Sequence, residues 1–201
     1  MTGGAFRGRR LALLLVIVAG SAALAAGGEE ARLVLRYERA AILGGEAWRF
    51  LTGHFVHLGW SHLVLNLAGL ILVWALLGTC YSAGAWLAVT GVTLVVISSA
   101  FLALEPALGW YVGLSGLLHG WFVAGAVVLA TDARPGERRF AAVLLALAFA
   151  KVAYEQWLGP LPMTAESAGG PVVVDAHLYG AIGGALAAAL VIIWRRTRES
   201  L

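Results

Sequence analysis

A serine between two glycines and two well-separated histidines set the chemical question. In the stretch YVGLSGLLHG, Ser115 stands between Gly113 and Gly116, and His119 follows four residues later. A serine hydroxyl becomes a nucleophile only beside a base. His177, in DAHLYGAIGGAL, opens a different apolar run. If the helices carrying Ser115 and His177 pack closely, hydroxyl and imidazole meet as a dyad competent for acyl transfer. Gly180 and Gly184 favour such packing, because residues four apart share a helical face and small residues let two backbones approach. Taken singly, Ser115 reads as a helix cap between packing glycines and His177 as a packed histidine. Only the pair points to catalysis.

An acyl-transfer site also needs donors for the developing oxyanion. The backbone N–H groups at a helix beginning on Ser115 supply some. His62 and Asn66 in HLVLN share one helical face and could supply two side-chain donors, or could form an interhelical hydrogen-bond pair instead. His119, four residues after Ser115, is its helix neighbour and could reach Ser115 itself. Side chains on one helix usually point past each other, so His177 is the expected base. Lys151 and Glu155, four apart, read as an intrahelical salt bridge or as a contact for the substrate backbone near the scissile bond. No Asp or Glu stands out as a third triad member; Asp175, two residues before His177, reads as a solvated helix start. His54 and His57 complete the five histidines, but without a zinc-ligand motif such as His-Glu-x-x-His neither metal nor cofactor is expected.

The elements that must hold these groups are membrane helices. Hydrophobic residues make up 61% of the 201 and charged residues 12%, against about a quarter charged in soluble domains. Apolar runs at 11–26, 63–77, 83–104, 116–130, 140–158 and 176–194 approach the roughly 20 residues that cross a bilayer. The expected fold is therefore all-α, a single six-helix transmembrane domain over 1–201. The first run, RGRRLALLLVIVAGSAALAAG, also reads as a signal peptide. Arg7, Arg9 and Arg10, then Arg134, Arg138 and Arg139, then Arg195, Arg196 and Arg198 fall on one side of a six-span topology. The excess of positive charge makes that side, with both termini, cytoplasmic. The basic residues thus report topology, and nucleic acid is set aside as a partner. The connection 27–61 is long, charge-balanced and aromatic, which suits a folded, partly embedded outer element. The single Cys80 excludes an intramolecular disulfide.

On this topology Ser115 lies roughly 24 Å from the cytoplasmic boundary of a hydrocarbon core about 30 Å thick. It would start its helix below the outer surface, where irregular backbone is tolerated only if it is buried in protein or lines a wet cavity.

The run WRFLTGHFVHLGWSHLVLN (48–66), then GLSG (113–116), then AHLYGAIGG (176–184), resembles the rhomboid intramembrane serine proteases in motif content and order. The resemblance implies Ser115 as nucleophile, His177 as base, and His62 and Asn66 as oxyanion support. It departs from the family at His119, where many bacterial members carry a tyrosine on which the catalytic histidine stacks; the resemblance implies that His119 orients His177 by ring contact in its place. Within the family, GLSGLLHG and DAHLYGAIGGAL are most similar to the rhombosortases. That likeness implies substrates with a carboxy-terminal Gly-Gly sorting signal, a hydrophobic anchor helix and a basic tail. It places the chain in a bacterial inner membrane, among membrane lipid, with its site facing outward. A substrate helix would enter laterally and unwind, with small residues favoured at the cleavage point. Two rival readings are a catalytically silent rhomboid-like binding protein and a transporter or metal-handling protein; the absence of internal repeats weighs against the transporter.

Overall fold

The computed structural model describes residues 2–132 and 134–199. Its helices α1 (Thr2–Ala26), α5 (Trp60–Leu77), α6 (Ala83–Leu104), α8 (Pro135–Leu158) and α10 (Asp175–Glu199) contain stretches long and apolar enough to cross a membrane. A further helix, α7 (Ser115–Asp132), has a shorter apolar stretch, Ser115–Thr131. The chain is an all-α, polytopic integral membrane protein. The six apolar runs thus become six helices, with α7 starting at the Gly113 turn and running 18 residues, as α5 does.

The connection 27–61 contains α2 (Gly28–Leu35), the two-residue strand β1 (Tyr37–Glu38), α3 (Arg39–Leu43) and α4 (Arg49–Thr52). Strand β1 pairs antiparallel with β2 (Trp110–Tyr111), Tyr37 opposite Tyr111, so this loop is stitched to the segment leading into Ser115. Arg49 ties the loop together by donating to the carbonyls of Leu33 and Arg36 while its Nε pairs with Glu46 at 2.5 Å. Buried carbonyls need such donors, and an arginine fork supplies several from one side chain. The short helix α9 (Thr164–Ala168) lies in the connection 159–174, close to α5.

Helix α7 is the centre of the bundle, with α5, α6, α8 and α10 around it. Trp74, Trp86, Trp121 and Tyr81 cluster between α5, α6 and α7, with ring centroids 4.7 to 6.2 Å apart. Three of their polar ends are satisfied: Trp86 donates to the Gly78 carbonyl, Trp121 to the Thr90 hydroxyl and Tyr81 to the Ala124 carbonyl. Such pairing is what permits large amphipathic rings in an apolar core. Val64, Ile71, Leu147 and Phe149 face outward, as helices solvated by lipid allow.

The closest approach is between α7 and α10. A methyl group on Gly180 would land on the Gly116 carbonyl, and one on Gly184 on the Gly120 carbonyl. The backbones touch there because neither helix presents a side chain. This contact fixes the relative height of Ser115, next to Gly116, and His177, one turn before Gly180.

Candidate active site

Ser115 is the first residue of α7, reached through Gly113 at φ +126°, a region that L side chains rarely adopt. The turn is pinned from two sides. The Gly113 N–H donates to the Gly53 carbonyl, and the Tyr111 hydroxyl donates to the Gly113 carbonyl at 2.6 Å. Burial pushes the Tyr111 phenol up to about 12, which keeps it a donor.

The imidazole of His177 meets the serine. Its Nε2 lies 3.0 Å from Ser115 Oγ. Its Nδ1 lies 2.8 Å from Glu155 Oε2, on α8. A carboxylate can only accept, so Nδ1 carries the proton and Nε2 presents its lone pair to the serine hydroxyl. That is the tautomer a general base requires. Glu155 is thus the acid behind the histidine, where no acid stands out from the sequence alone. Its other oxygen, Oε1, accepts from Lys151 Nζ at 2.7 Å, so the intrahelical pair exists and also reaches across to α10. Glu155 and His177 are both buried.

His119 touches both partners by different means. Its ring stacks on His177, and its Nδ1 donates to the Ser115 backbone carbonyl at 2.7 Å. It therefore reaches the serine's backbone, while His177 reaches its hydroxyl.

His62 and Asn66 sit on the other side of the turn. A Cβ on Gly113 would meet the His62 ring at 2.8 Å and lie 4.0 Å from the Asn66 amide nitrogen. Asn66 donates to the His62 carbonyl and is buried, and His62 Nδ1 accepts from the Leu58 N–H. Both side chains thus border the glycine two residues before Ser115, and both line the same cavity as Ser115. Gly116 sits on the opposite face, against Ala176 beside His177.

Two cavities share Ser115 and His62. One of about 440 Å³ runs between α5 and α8, past Gly69, Leu72 and Leu147, and holds His119, Lys151, Glu155 and His177 in its wall. The other, of about 280 Å³, lies beneath segments 107–112 and 171–173. Ser115 is where an opening between two helices meets an opening under these loops.

Among the described residues, His119, Glu155 and His177 place potential ligand atoms within 4.8 Å of one another. Their geometry suits catalysis better than metal. Stacked rings hold their in-plane lone pairs in separate, near-parallel planes, and both His177 nitrogens and His119 Nδ1 are already engaged. His54 and His57 stand apart from this group. His54 Nε2 bonds Ser98 Oγ, which donates onward to the Phe50 carbonyl, and His57 packs edge-on to His62.

The site is thus a serine, an imidazole and a carboxylate linked in series inside a helical membrane bundle. The Rhomboid domain profile matches residues 44–194, and the chain belongs to the rhomboid family. The family consists in general of intramembrane serine proteases that act on transmembrane substrates. No individual curated protein matches the chain.

Proposed function

We propose that this protein is an intramembrane serine endopeptidase in which Ser115 attacks the scissile carbonyl and His177 is the base. The observation that carries the reading is the 3.0 Å contact between His177 Nε2 and Ser115 Oγ, and the Glu155 carboxylate against Nδ1 supports the accepting tautomer. The serine proton passes to Nε2 as the Oγ–C bond forms, and the same proton then goes to the leaving amine as the C–N bond breaks. The Ser115 N–H, His62 and Asn66 support the oxyanion. Water or an amine acceptor releases the acyl group.

The substrate class is a protein anchored by a carboxy-terminal transmembrane helix. Its helix end enters through the cavity between α5 and α8 and unwinds toward the cavity under the outer loops, so that the extended peptide crosses Ser115. The similarity of GLSGLLHG and DAHLYGAIGGAL to the rhombosortases supports a Gly-Gly sorting signal at the cleavage point. The rhombosortase likeness supports a bacterial inner membrane, and the arginine pattern supports cytoplasmic termini with the site opening outward.

The test is labelling of purified protein with a serine-directed fluorophosphonate, mapped by mass spectrometry. Adduct on Ser115 that is lost in Ser115→Ala and His177→Ala but survives in His119→Ala supports the dyad. No adduct on Ser115, in detergent and bilayer alike, overturns it and leaves the silent binding protein as the better reading.

A further inference from the structure

Resting on the proteolytic reading of Ser115, we infer that Glu155 is a positioning residue, the third member of a Ser115–His177–Glu155 triad, and that Lys151 fixes the orientation of the group that faces His177. The case begins with cost. Two charged side chains sit inside a membrane helix whose other positions from 140 to 158 are almost all apolar. An ion pair there loses hydration that its mutual attraction only partly returns, and apolar residues of similar volume would hold a helix at less cost. If the pair served only α8, the carboxylate would have no reason to turn one oxygen out of its own helix.

It does turn one out. Oε1 accepts from Lys151 one turn earlier on α8, and Oε2 accepts from His177 Nδ1 on α10 at 2.8 Å. Glu155 is 2% exposed and His177 6%, so no bulk water competes for that Nδ1–H. A bare imidazole has two tautomers, and only the one protonated on Nδ1 leaves Nε2 free to take the serine proton. Glu155 selects that tautomer. Stacking on His119 restrains the ring against rotation, and Glu155 restrains its proton. When Nε2 takes the proton from Ser115 Oγ, the imidazolium forms against an acceptor already in place, with no group having to move. Glu155 stays a carboxylate throughout, and the transferred proton goes to the leaving amine.

Lys151 gives the arrangement a direction that can be tested. An ammonium only donates. In Glu155→Gln it therefore draws the amide oxygen, and the amide NH2 turns toward His177. That NH2 can only donate, so it stabilises the tautomer with a lone pair on Nδ1 and a proton on Nε2, which cannot accept from Ser115. Removing the ammonium as well frees the amide to turn back.

The experiment compares Ser115 fluorophosphonate labelling rates in wild type, Glu155→Gln, and Lys151→Met combined with Glu155→Gln. The expected fall in Glu155→Gln is on the order of a thousandfold or more, as when the wrong tautomer is imposed on a serine protease triad. The double variant is expected to regain at least tenfold. A helix tether without tautomer control predicts the double variant no faster than the single. Nitrogen-15 shifts of the His177 ring provide a readout independent of rate: protonated Nδ1 in wild type, protonated Nε2 in Glu155→Gln. Unchanged shifts, or a Glu155→Gln rate within threefold of wild type, would overturn the inference and leave the dyad standing. A wild-type protein that does not label at Ser115 would overturn the underlying reading and this one with it.

Discussion

The rings of His119 and His177 lie face to face, centroids 4.1 Å apart and planes 17° from parallel. Stacked rings contribute about 0.5–1.5 kcal/mol beyond their burial. Here the contact also limits how far the base can swing from Ser115. His119→Phe keeps a flat ring and should retain labelling within severalfold of wild type, whereas His119→Ala should lose about tenfold by freeing the His177 ring. Equal rates for the two variants would assign the contact to packing alone.

The α7–α10 contact has no room for a side chain. Gly180→Ala places a methyl on the Gly116 carbonyl, next to Ser115, and the helices must part. Overpacking of a tight interior costs about 1–3 kcal/mol, and a displacement near 1 Å between reacting groups costs on the order of a hundredfold in rate. Gly180→Ala should therefore lower both the thermal midpoint in detergent and the labelling rate. Gly91→Ala is the matched control: nothing lies within 4 Å of its added methyl on α6, so it should hold or raise the midpoint. Similar losses from both substitutions would refute the close-contact argument.

What could be read in the sequence depended on how local the signal was. The glycine around Ser115 and the spacing of Gly180 and Gly184 are local patterns tied to backbone geometry, and they point to one face on each helix. Lys151 and Glu155 were legible as a pair because four residues is one helical turn. The second oxygen of Glu155 was not, since its partner lies 22 residues away on another helix and nothing in the spacing marks it. Strands β1 and β2 leave no mark in the sequence for the same reason: two-residue strands have no periodicity, and Tyr37 meets Tyr111 across 74 positions. Apolar runs marked where the helices would lie, but their ends moved outward, as with α8 beginning at Pro135, because polar first turns are invisible to hydropathy.

His54 and His57 make stability depend on pH. Burial holds both down to about 3, with the neighbouring His62 adding to the effect at His57. Between about 6.5 and about 3 the unfolded chain takes protons that the folded site refuses, so unfolding takes up protons and stability falls as pH falls. The stabilisation is complete above about 6.5 and declines by up to about 1.4 kcal/mol per pH unit for each histidine. The thermal midpoint in detergent should drop from pH 7.5 to pH 4.5, and His54→Gln should flatten that slope. An identical slope in the variant would remove His54 as a cause.

The cleavage point should accept only small residues. Ser115 is reached between the Gly113 turn, which has the His62 ring against it, and the buried His177, so the extended peptide must pass close to backbone on one side and to rings on the other. Gly-Gly leaves the most space and unwinds a helix end at least cost, since glycine forfeits about 0.8–1 kcal/mol of helix propensity relative to alanine. Each added methylene in a tight pocket changes discrimination by about 10- to 200-fold. A reporter with an outward-facing domain, a carboxy-terminal apolar helix and a basic tail, reconstituted with the protein in vesicles, provides the comparison. Cleavage should be fastest at Gly-Gly, slower at Ala-Ala, and at least a hundredfold slower at Leu-Leu, with all of it lost in Ser115→Ala. Leu-Leu cleaved as fast as Gly-Gly would show that the peptide takes another path to the serine, and slow cleavage at every junction would point to recognition elsewhere in the anchor.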